Sequence, residues 1–276
     1  MTGTFMKTSV LALSLTFAAA TAQAQSPRLW PVFSAAGGAY ALSTDNVARL
    51  DGASEIAGTN VDWERDLGLP GATWAPSMNV SWQPFRRHSI SVDYVRYKQS
   101  QSGAIARDLV IGGIAFPAGV NVDARFNIGE VDVAYTCWLA RREKFGIGAS
   151  LGVVVLDLDA EVSAAVEIGA QRFEARRYSA RADAPVPMIG AAARGNPWGR
   201  FVWRADGRLL PTVSIGNSRG HAATYNASAE FFVLNHGAVG VAYTGKATKA
   251  DFDLSDWRGR VDLRSRGWRT FFRIAL

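Results

Sequence analysis

The sequence predicts an all-β protein, a single antiparallel β-barrel of about ten strands that crosses a bacterial outer membrane. Three observations predict this fold class. The N-terminal segment has the composition of an export signal, apolar and polar residues then alternate over many segments, and no later apolar run approaches the ~18 residues of a membrane-spanning helix. Because backbone groups must be hydrogen-bonded inside a bilayer, a closed barrel is the remaining way for such a chain to cross one.

The N-terminal segment has the three parts of a signal peptide. Lys7 supplies the positive charge, Ser9 to Ala20 is apolar, and a small-x-small cleavage pattern ends at Ala24. A membrane anchor is the alternative, but a run of about a dozen residues is shorter than the ~20 that a spanning helix needs. We therefore expect a cleaved signal peptide at residues 1–24 and one barrel domain at residues 25–276.

Charge and cysteine content exclude several kinds of protein. Without the signal peptide, 29 basic residues remain against 24 acidic ones, a formal charge of +5. No Lys/Arg block of the kind that marks a nucleic-acid patch is present. Cys137 is the single cysteine, which excludes an intrachain disulfide and a multi-thiolate zinc site. The excess arginines could contact an anionic surface such as lipopolysaccharide, lie in solvated loops, or pair inside a lumen.

The clearest alternation lies between Phe201 and Leu209. One face of this segment carries Phe201, Trp203, Ala205 and Leu209. The opposite face carries Arg200, Arg204, Asp206 and Arg208. A soluble core would not accept the charged face, and a helix does not have this spacing, whereas a polar lumen and a lipid-facing wall explain both faces.

The same period of two recurs along the chain. It is found in residues 74–82, 90–94, 130–139, 145–155, 225–233, 239–244 and 268–276. Two further segments alternate less clearly. Residues 32–50 are rich in small side chains, and residues 180–195 contain Pro185 and Pro187, which cannot donate ladder hydrogen bonds. We predict a strand in each of them.

The connections between these segments predict the number of strands. Short polar connections lie at residues 84–88, 140–144, 195–199 and 235–237. Longer ones lie at residues 51–71, 100–119, 157–179, 216–220 and 245–260. Alternating long loops and short turns predict ten strands, with eight as the alternative. An even number places both termini in the periplasm, on the side of the short turns.

The polar faces of these strands predict a charged lumen. Its members are Asp93, Glu130, Asp132, Arg204, Asp206, Arg208, Glu230, Arg269 and Arg273. Their mixed signs favour ion pairs that fill the interior, and a narrow path for a small solute is the alternative. About ten strands enclose too little space for an open channel of the porin type, which takes 16–18 strands.

Aromatic residues beside the short turns predict an interfacial girdle. Its predicted members are Trp82, Trp138, Phe145, Trp198, Phe201 and Phe232. The chain ends on an amphipathic segment, Trp268 to Leu276. Outer-membrane barrels share such a final strand with a terminal aromatic residue, through which the barrel-assembly machinery recognises them; here the last residue is Leu.

One segment resembles a known family. Residues 62–69 read Asp-Trp-Glu-Arg-Asp-Leu-Gly-Leu, which is similar to the D-[LFW]-E-x-D-L-G-L loop of uncharacterised proteobacterial outer-membrane β-barrel proteins. Arg87-His88-Ser89-Ile90 and the segment from Ile114 to Gly119 resemble two further motifs of that family. The resemblance covers roughly residues 35–140. It implies a barrel fold and an outer-membrane location, and it implies no activity.

Few residues point to catalysis. His88 and His236 fall in predicted short turns, and His221 lies near the far end of a strand, where a protease-type site would need a His–Asp pair. We assign no catalytic residue, metal site or cofactor. Asp251, Asp253 and Asp256 have the spacing of calcium ligands but read more simply as a solvated loop.

The sequence therefore favours a structural or surface-interaction protein of the outer membrane, with outer-membrane lipids and lipopolysaccharide as partners. The loop arginines that could contact lipopolysaccharide are Arg172, Arg176, Arg177 and Arg181. The alternatives are an outer-membrane hydrolase of protease or lipid-deacylase type, with its site at the extracellular rim, and a narrow channel.

Overall fold

The fold was analysed in a computed structural model, which describes residues 29–51, 57–168, 171–215, 218–253 and 258–276. These residues form strands, turns and bends. In this part of the chain no helix has the length and apolar character needed to cross a membrane. The predicted signal peptide, residues 1–24, lies outside the described residues.

Thirteen strands follow one another along the chain. They are β1 (Phe33–Asp51), β2 (Val61–Asp62), β3 (Ala72–Phe85), β4 (His88–Ala104), β5 (Leu109–Ile111), β6 (Ile114–Phe116), β7 (Asn121–Arg141), β8 (Phe145–Ile168), β9 (Gln171–Gly195), β10 (Phe201–Ile215), β11 (Ser218–Phe232), β12 (Gly237–Asp253) and β13 (Arg258–Ala275). Ten of these are long and build the barrel. The short strands β2, β5 and β6 belong to its loops.

The ten long strands form a closed antiparallel ring. Each pairs with its neighbours along the chain, and β13 returns to pair with β1 from Ser34↔Ala275 to Asp51↔Arg258. This closure removes the free sheet edges that an open sheet would expose. The predicted all-β fold and the count of ten strands are therefore confirmed, and the eight-strand alternative is wrong.

The two ends of the barrel differ. At the turn end, short connections at residues 86–87, 142–144, 196–200 and 233–236 join the strands. Phe33 and Leu276 exchange two backbone hydrogen bonds there, so the start of β1 and the C-terminus share this end. The opposite, loop end carries the longer connections.

Several predicted loops are strand. β8 and β9 continue through residues 157–179 and stay paired as far as Ile168 and Gln171. β12 and β13 likewise occupy most of residues 245–260. Polar residues stand on both faces of these extensions, so the inward and outward alternation that marks a membrane strand is weak there.

Pro185 and Pro187 lie in β9, opposite Val155 and Val153 of β8. On its other side, β9 pairs with β10 only from Ile189 onward. The prolines, which cannot donate to a ladder, thus lie outside the β9–β10 ladder.

The outer wall is apolar around the barrel. Exposed outward side chains include Trp74, Met78, Val92, Val133, Leu151, Ile189, Leu209, Phe231, Val241 and Phe272. On β13 the outward row runs from Trp268 to Leu276, about 27 Å along the strand. This length suits an apolar band about 25 Å tall once the strand tilts. The core of the molecule lies inside the ring.

Candidate functional site

The lumen network is the most polar region of the interior. The nine charged residues predicted for the lumen all lie on the inner face of the barrel and pair with one another or with polar neighbours. Two cations that the prediction left out join them, Arg194 on β9 and Lys246 on β12. Lys246 was assigned to a loop, and Arg194 was not distinguished from the small residues around it.

Glu230 lies at the centre of one half of the network. Its side chain is fully buried and accepts hydrogen bonds from Arg204 Nε at 2.9 Å and Arg273 Nε at 3.1 Å. Arg273 also donates to Ser34 Oγ and Asn79 Oδ1, both at 3.0 Å. A buried carboxylate with two guanidinium partners is compensated, whereas either arginine alone would leave charge unpaired.

Other ion pairs cross the lumen. Arg208 on β10 donates two hydrogen bonds to Asp132 on β7, at 2.6 and 2.5 Å. Lys246 on β12 pairs with Glu130 on β7, from the opposite wall of the ring. A Cβ atom on Gly152 would lie 2.3 Å from Arg208 Nη1, so glycine is needed for this side chain to cross.

The remaining acids have mixed partners. Asp93 accepts hydrogen bonds from Arg269 at 3.1 Å and from Asn79 at 3.0 Å. Asp206 accepts one from Asn226 at 3.1 Å, and its nearest guanidinium nitrogen, on Arg208, is 4.0 Å away. Asp206 is thus held less tightly than the other acids of the network.

Two small polar cavities adjoin these residues, of about 120 Å³ and 50 Å³. Both are lined by Asp93, Asp206 and Arg208. The buried Ser150 hydroxyl lines the larger cavity and has no hydrogen-bond partner in the protein. At ~30 Å³ per molecule, the larger cavity has room for about four waters. This space suits water or a small ion rather than an organic substrate.

Aromatic side chains close the turn end of the lumen. Arg194 stacks on Trp138 at 3.7 Å and on Trp30 at 4.4 Å, and it donates to Leu29 O at 3.1 Å. Trp138 donates its indole N–H to Ser89 Oγ at 3.0 Å. We call Leu29, Trp30, Trp138 and Arg194 the turn-end plug. The segment before β1 therefore folds back into the barrel.

The predicted girdle needs two corrections. Trp138 is 4 % exposed and Phe232 is fully buried, so both lie inside the barrel and their assignment to the girdle is wrong. Trp138 has the same parity as Asp132 and Thr136, so the alternation itself already pointed inward. Nearness to a turn was the weaker signal.

The other predicted girdle residues lie on the outer wall. Trp82, Phe145 and Trp198 are exposed, and Phe201 is half-buried against Trp198, with ring centroids 5.3 Å apart. A second collar stands nearer the loop end, formed by Trp74, Tyr94, Tyr225, Tyr243 and Trp268. The outward alternation had identified these residues, but not their grouping.

An apolar cap closes the loop end. We use this name for residues 57–71 and 105–120 together with the strand side chains that they cover. Trp63 stacks on Phe126 of β7 with ring centroids 3.8 Å apart, and the β5–β6 hairpin buries Leu109 and Phe116 to 1 % exposure. Thr59 N–H donates to Val110 O at 2.8 Å, which joins the two loops.

The loop motif of residues 62–69 builds this cap. Asp62 Oδ1 accepts the amides of Glu64 and Arg65, and its own amide donates to Asp66 Oδ2 at 2.8 Å. The following Gly68 has a φ of 66°, a left-handed conformation that glycine adopts at no steric cost. Trp63, Leu67 and Leu69 are all buried. The spacing of the motif thus serves a tight turn with an apolar underside.

An ion pair fastens the cap. Arg107 donates to Asp66 Oδ1 at 2.8 Å and to Asn60 O at 2.7 Å. Burial alone would raise the pKa of Asp66, but the hydrogen bonds from Arg107 and the Asp62 amide hold it below its usual value. Asp66 is therefore ionised at neutral pH and holds the two loops together.

The histidines do not form a lumenal site. His221 is exposed on the outer face, beside Lys249 in the register. His88 contacts the Tyr135 hydroxyl at 2.5 Å, and His236 contacts Ala275 O at 2.9 Å, both at the turn end. Within the described ranges, no three His, Cys, Asp or Glu side chains are grouped so that they could hold a metal ion. Asp251 pairs with Arg260, while Asp256 and the Asp253 side chain lie outside what the structure describes.

Comparison with known proteins identifies the fold. The Escherichia coli outer-membrane protease OmpT aligns over 88 % of this chain and 96 % of its own, with a TM-score of 0.59 and 11 % identity. This chain has the fold of an outer-membrane β-barrel. Neisserial surface protein A (TM-score 0.30, 10 % identity, 88 % and 97 % of the chains) and OprG from Pseudomonas aeruginosa (0.35, 8 %, 88 % and 96 %) align too loosely to carry an argument. No protein-family model and no curated protein matches this sequence.

Proposed function

We propose that this chain is an integral outer-membrane protein with a closed lumen, which acts through its outer wall and its cap rather than as a pore. The observation that carries the proposal is the filling of the interior in three successive layers. The turn-end plug, the lumen network and the cap each close the cross-section by a different kind of contact.

The middle layer is the strongest barrier to solutes. The Arg208–Asp132 and Lys246–Glu130 pairs connect walls that are not neighbours in the ring. A solute that passed between them would separate charges that are buried inside the protein, and an unpaired buried charge is strongly destabilising. The cavities beside these pairs are separate small spaces rather than a continuous channel-sized volume.

The outer wall supports a membrane location. Exposed apolar side chains form a band between the aromatic residues of the turn end and the second collar, as expected of a lipid-facing barrel. The export signal and the amphipathic last strand are consistent with delivery through the barrel-assembly machinery. The turn end, which carries both described termini, is then periplasmic and the cap is extracellular. Membership of the family with the D-[LFW]-E-x-D-L-G-L loop is part of this proposal.

The hydrolase alternative is not favoured by the position of its candidate residue. His221 faces away from the lumen, and its strand neighbour across the outer face is a lysine rather than a carboxylate. A general base needs a partner within hydrogen-bond reach of the reacting water.

Conductance in planar bilayers tests the closed lumen. The full mature chain is first shown to be folded by faster migration of the unboiled band on a gel. We expect no stable conductance steps, whereas a 16-stranded porin reconstituted in parallel gives large ones. Regular ohmic steps from the wild-type chain would overturn the closed-lumen proposal and favour the narrow channel. Absence of the gel shift would overturn the membrane location.

A further inference from the structure

The outer wall near the loop end is electrostatically asymmetric. Four outward rows continue the strands of β11, β12, β13 and β1 beyond the collar residue Trp268. Their charged members are Arg49, Arg219, Lys249, Arg260, Arg264 and Arg266 against Asp45, Asp251 and Asp262, six cations and three carboxylates. We call these residues the cationic wall.

The opposite wall has no such excess. Four outward rows of β4, β7 and β8 lie beyond the collar residue Tyr94. They carry Arg96, Lys98 and Arg125 against Asp123, Asp157, Asp159 and Glu161, three cations and four carboxylates. A solvated rim would need no difference in sign between the two sides. The asymmetry therefore indicates an anionic partner on one side.

The cationic wall stands directly over aromatic and apolar surface. Arg266 lies two residues beyond Trp268 on the same face of β13, and Trp268 packs on Tyr243 with ring centroids 5.0 Å apart. Both Arg264 and Arg266 are exposed. Interfacial Trp and Tyr mark the level of lipid headgroups, so these guanidinium groups reach the headgroup region itself.

An apolar groove continues below this level on the same wall. The groove, of about 730 Å³, lies between small residues of β1 and larger ones of β11 to β13. Its outward-facing members include Gly37, Ala39, Phe231, Val239, Val241 and Phe272. Thr270, which also lines it, is four residues from Arg266, about 13 Å along β13. Cations, aromatic rings and an apolar groove thus follow one another along one strand.

We propose that this wall binds one molecule of lipid A, the phosphorylated glycolipid of the outer leaflet, with phosphate on Arg264 and Arg266 and an acyl chain in the groove. The inference rests on the proposed outer-membrane location, with the loop end outside. A guanidinium group binds phosphate through paired, charge-assisted hydrogen bonds. This site replaces the predicted loop arginines. Of those, Arg177 pairs with Glu161 at 3.0 Å, and the side chains of Arg172, Arg176 and Arg181 lie outside what the structure describes.

Binding of purified lipid A to the detergent-solubilised full mature chain, followed by native mass spectrometry, tests the phosphate contact. We expect Arg264→Gln/Arg266→Gln to weaken binding roughly tenfold, because two charged hydrogen-bond donors are lost. The matched control is Arg96→Gln/Lys98→Gln, which removes two cations at the same distance from the collar on the opposite wall. We expect it to change binding less than about twofold.

A second variant tests the groove. A Cβ atom on Gly37 would meet nothing within 4 Å, so Gly37→Leu fills the groove without disturbing the barrel. We expect it to weaken lipid A binding roughly fivefold through lost apolar contact. With dephosphorylated lipid A, the effect of Gly37→Leu should persist and that of the double arginine variant should disappear.

Three outcomes would overturn the site. They are equal weakening by both double variants, equal binding of phosphatidylglycerol and lipid A by the wild type, and no lipid A binding at all. Only protein that shows the gel shift is assayed, so failure of lipid binding is separate from failure of the proposed membrane location.

Discussion

The two ends of the lumen are closed by different parts of the chain. At the turn end, the strand side chains Trp138 and Arg194 meet Trp30 from the segment just before β1. At the loop end, the closure comes from residues 57–71 and 105–120, which lie over the ends of β7 and β8. One end is closed mainly from within the barrel wall, and the other by separate loops.

This difference predicts where stability resides. The turn-end plug shares its residues with the hydrogen-bonded ring, so removing it should affect unfolding of the whole barrel. The cap is joined to the ring by apolar packing and a few hydrogen bonds, so it can open while the ring stays intact. The following substitutions separate global from local effects.

Substitution of Trp138 should have the largest effect. We expect Trp138→Ala to lower the free energy of unfolding by about 3–5 kcal/mol, because it leaves a cavity and removes the surface on which Arg194 stacks. The control Trp198→Ala, at a 76 % exposed position, should cost less than about 1 kcal/mol. The measurement is the fraction of the fast-migrating folded band against guanidinium concentration in lipid vesicles. Equal midpoints would contradict the inward placement of Trp138.

Substitution in the cap should act locally. We expect Phe116→Ala to raise the rate of proteolytic cleavage within residues 105–120 roughly a hundredfold, because a fully packed aromatic side chain is lost from the cap. The gel shift and the guanidinium midpoint should stay near those of the wild type. A large fall in that midpoint would instead show that the cap and the ring unfold together.

Loss of the Arg107–Asp66 pair should have the smallest effect. Arg107 is half exposed, so we expect Arg107→Gln to weaken cap protection only about threefold, measured by hydrogen exchange of residues 57–71 at neutral pH. Because the pKa of Asp66 is lowered in the folded cap, its contribution is present above ~3.9, the unfolded value, and is lost as pH falls through the folded pKa. Wild-type protection, corrected for intrinsic exchange rates, should therefore fall below about pH 4 and approach that of the variant. Parallel pH profiles for the two proteins would argue against this role of Asp66.

The period-two alternation was sufficient to predict the ring. It predicted ten strands and the inward position of Glu230, because lipid accepts only apolar side chains outside and a narrow lumen accepts small and charged ones inside. The same rule, applied to Trp138 and Phe232, would have placed them inside. The prediction failed there because it relied on their nearness to a turn.

The pairing of charges needed the tertiary structure. Lys246 meets Glu130 and Arg208 meets Asp132 because strand tilt and stagger set which rows face each other across the ring. A sequence shows the parity of a residue along its own strand but not its height relative to strands on the other side. The grouping of Arg264 and Arg266 above the groove depends on the same stagger.

The sequence by itself determined which side chains face lipid and which face the lumen, because the two-residue period of a strand is a local property of the backbone. Only the tertiary structure decided how the lumen is closed. The cap is built by loops without a period, in which the motif of residues 62–69 turns Trp63 onto Phe126. Contacts between residues so far apart in the chain leave no periodic signal in either segment, since each depends on where the closed ring places the other.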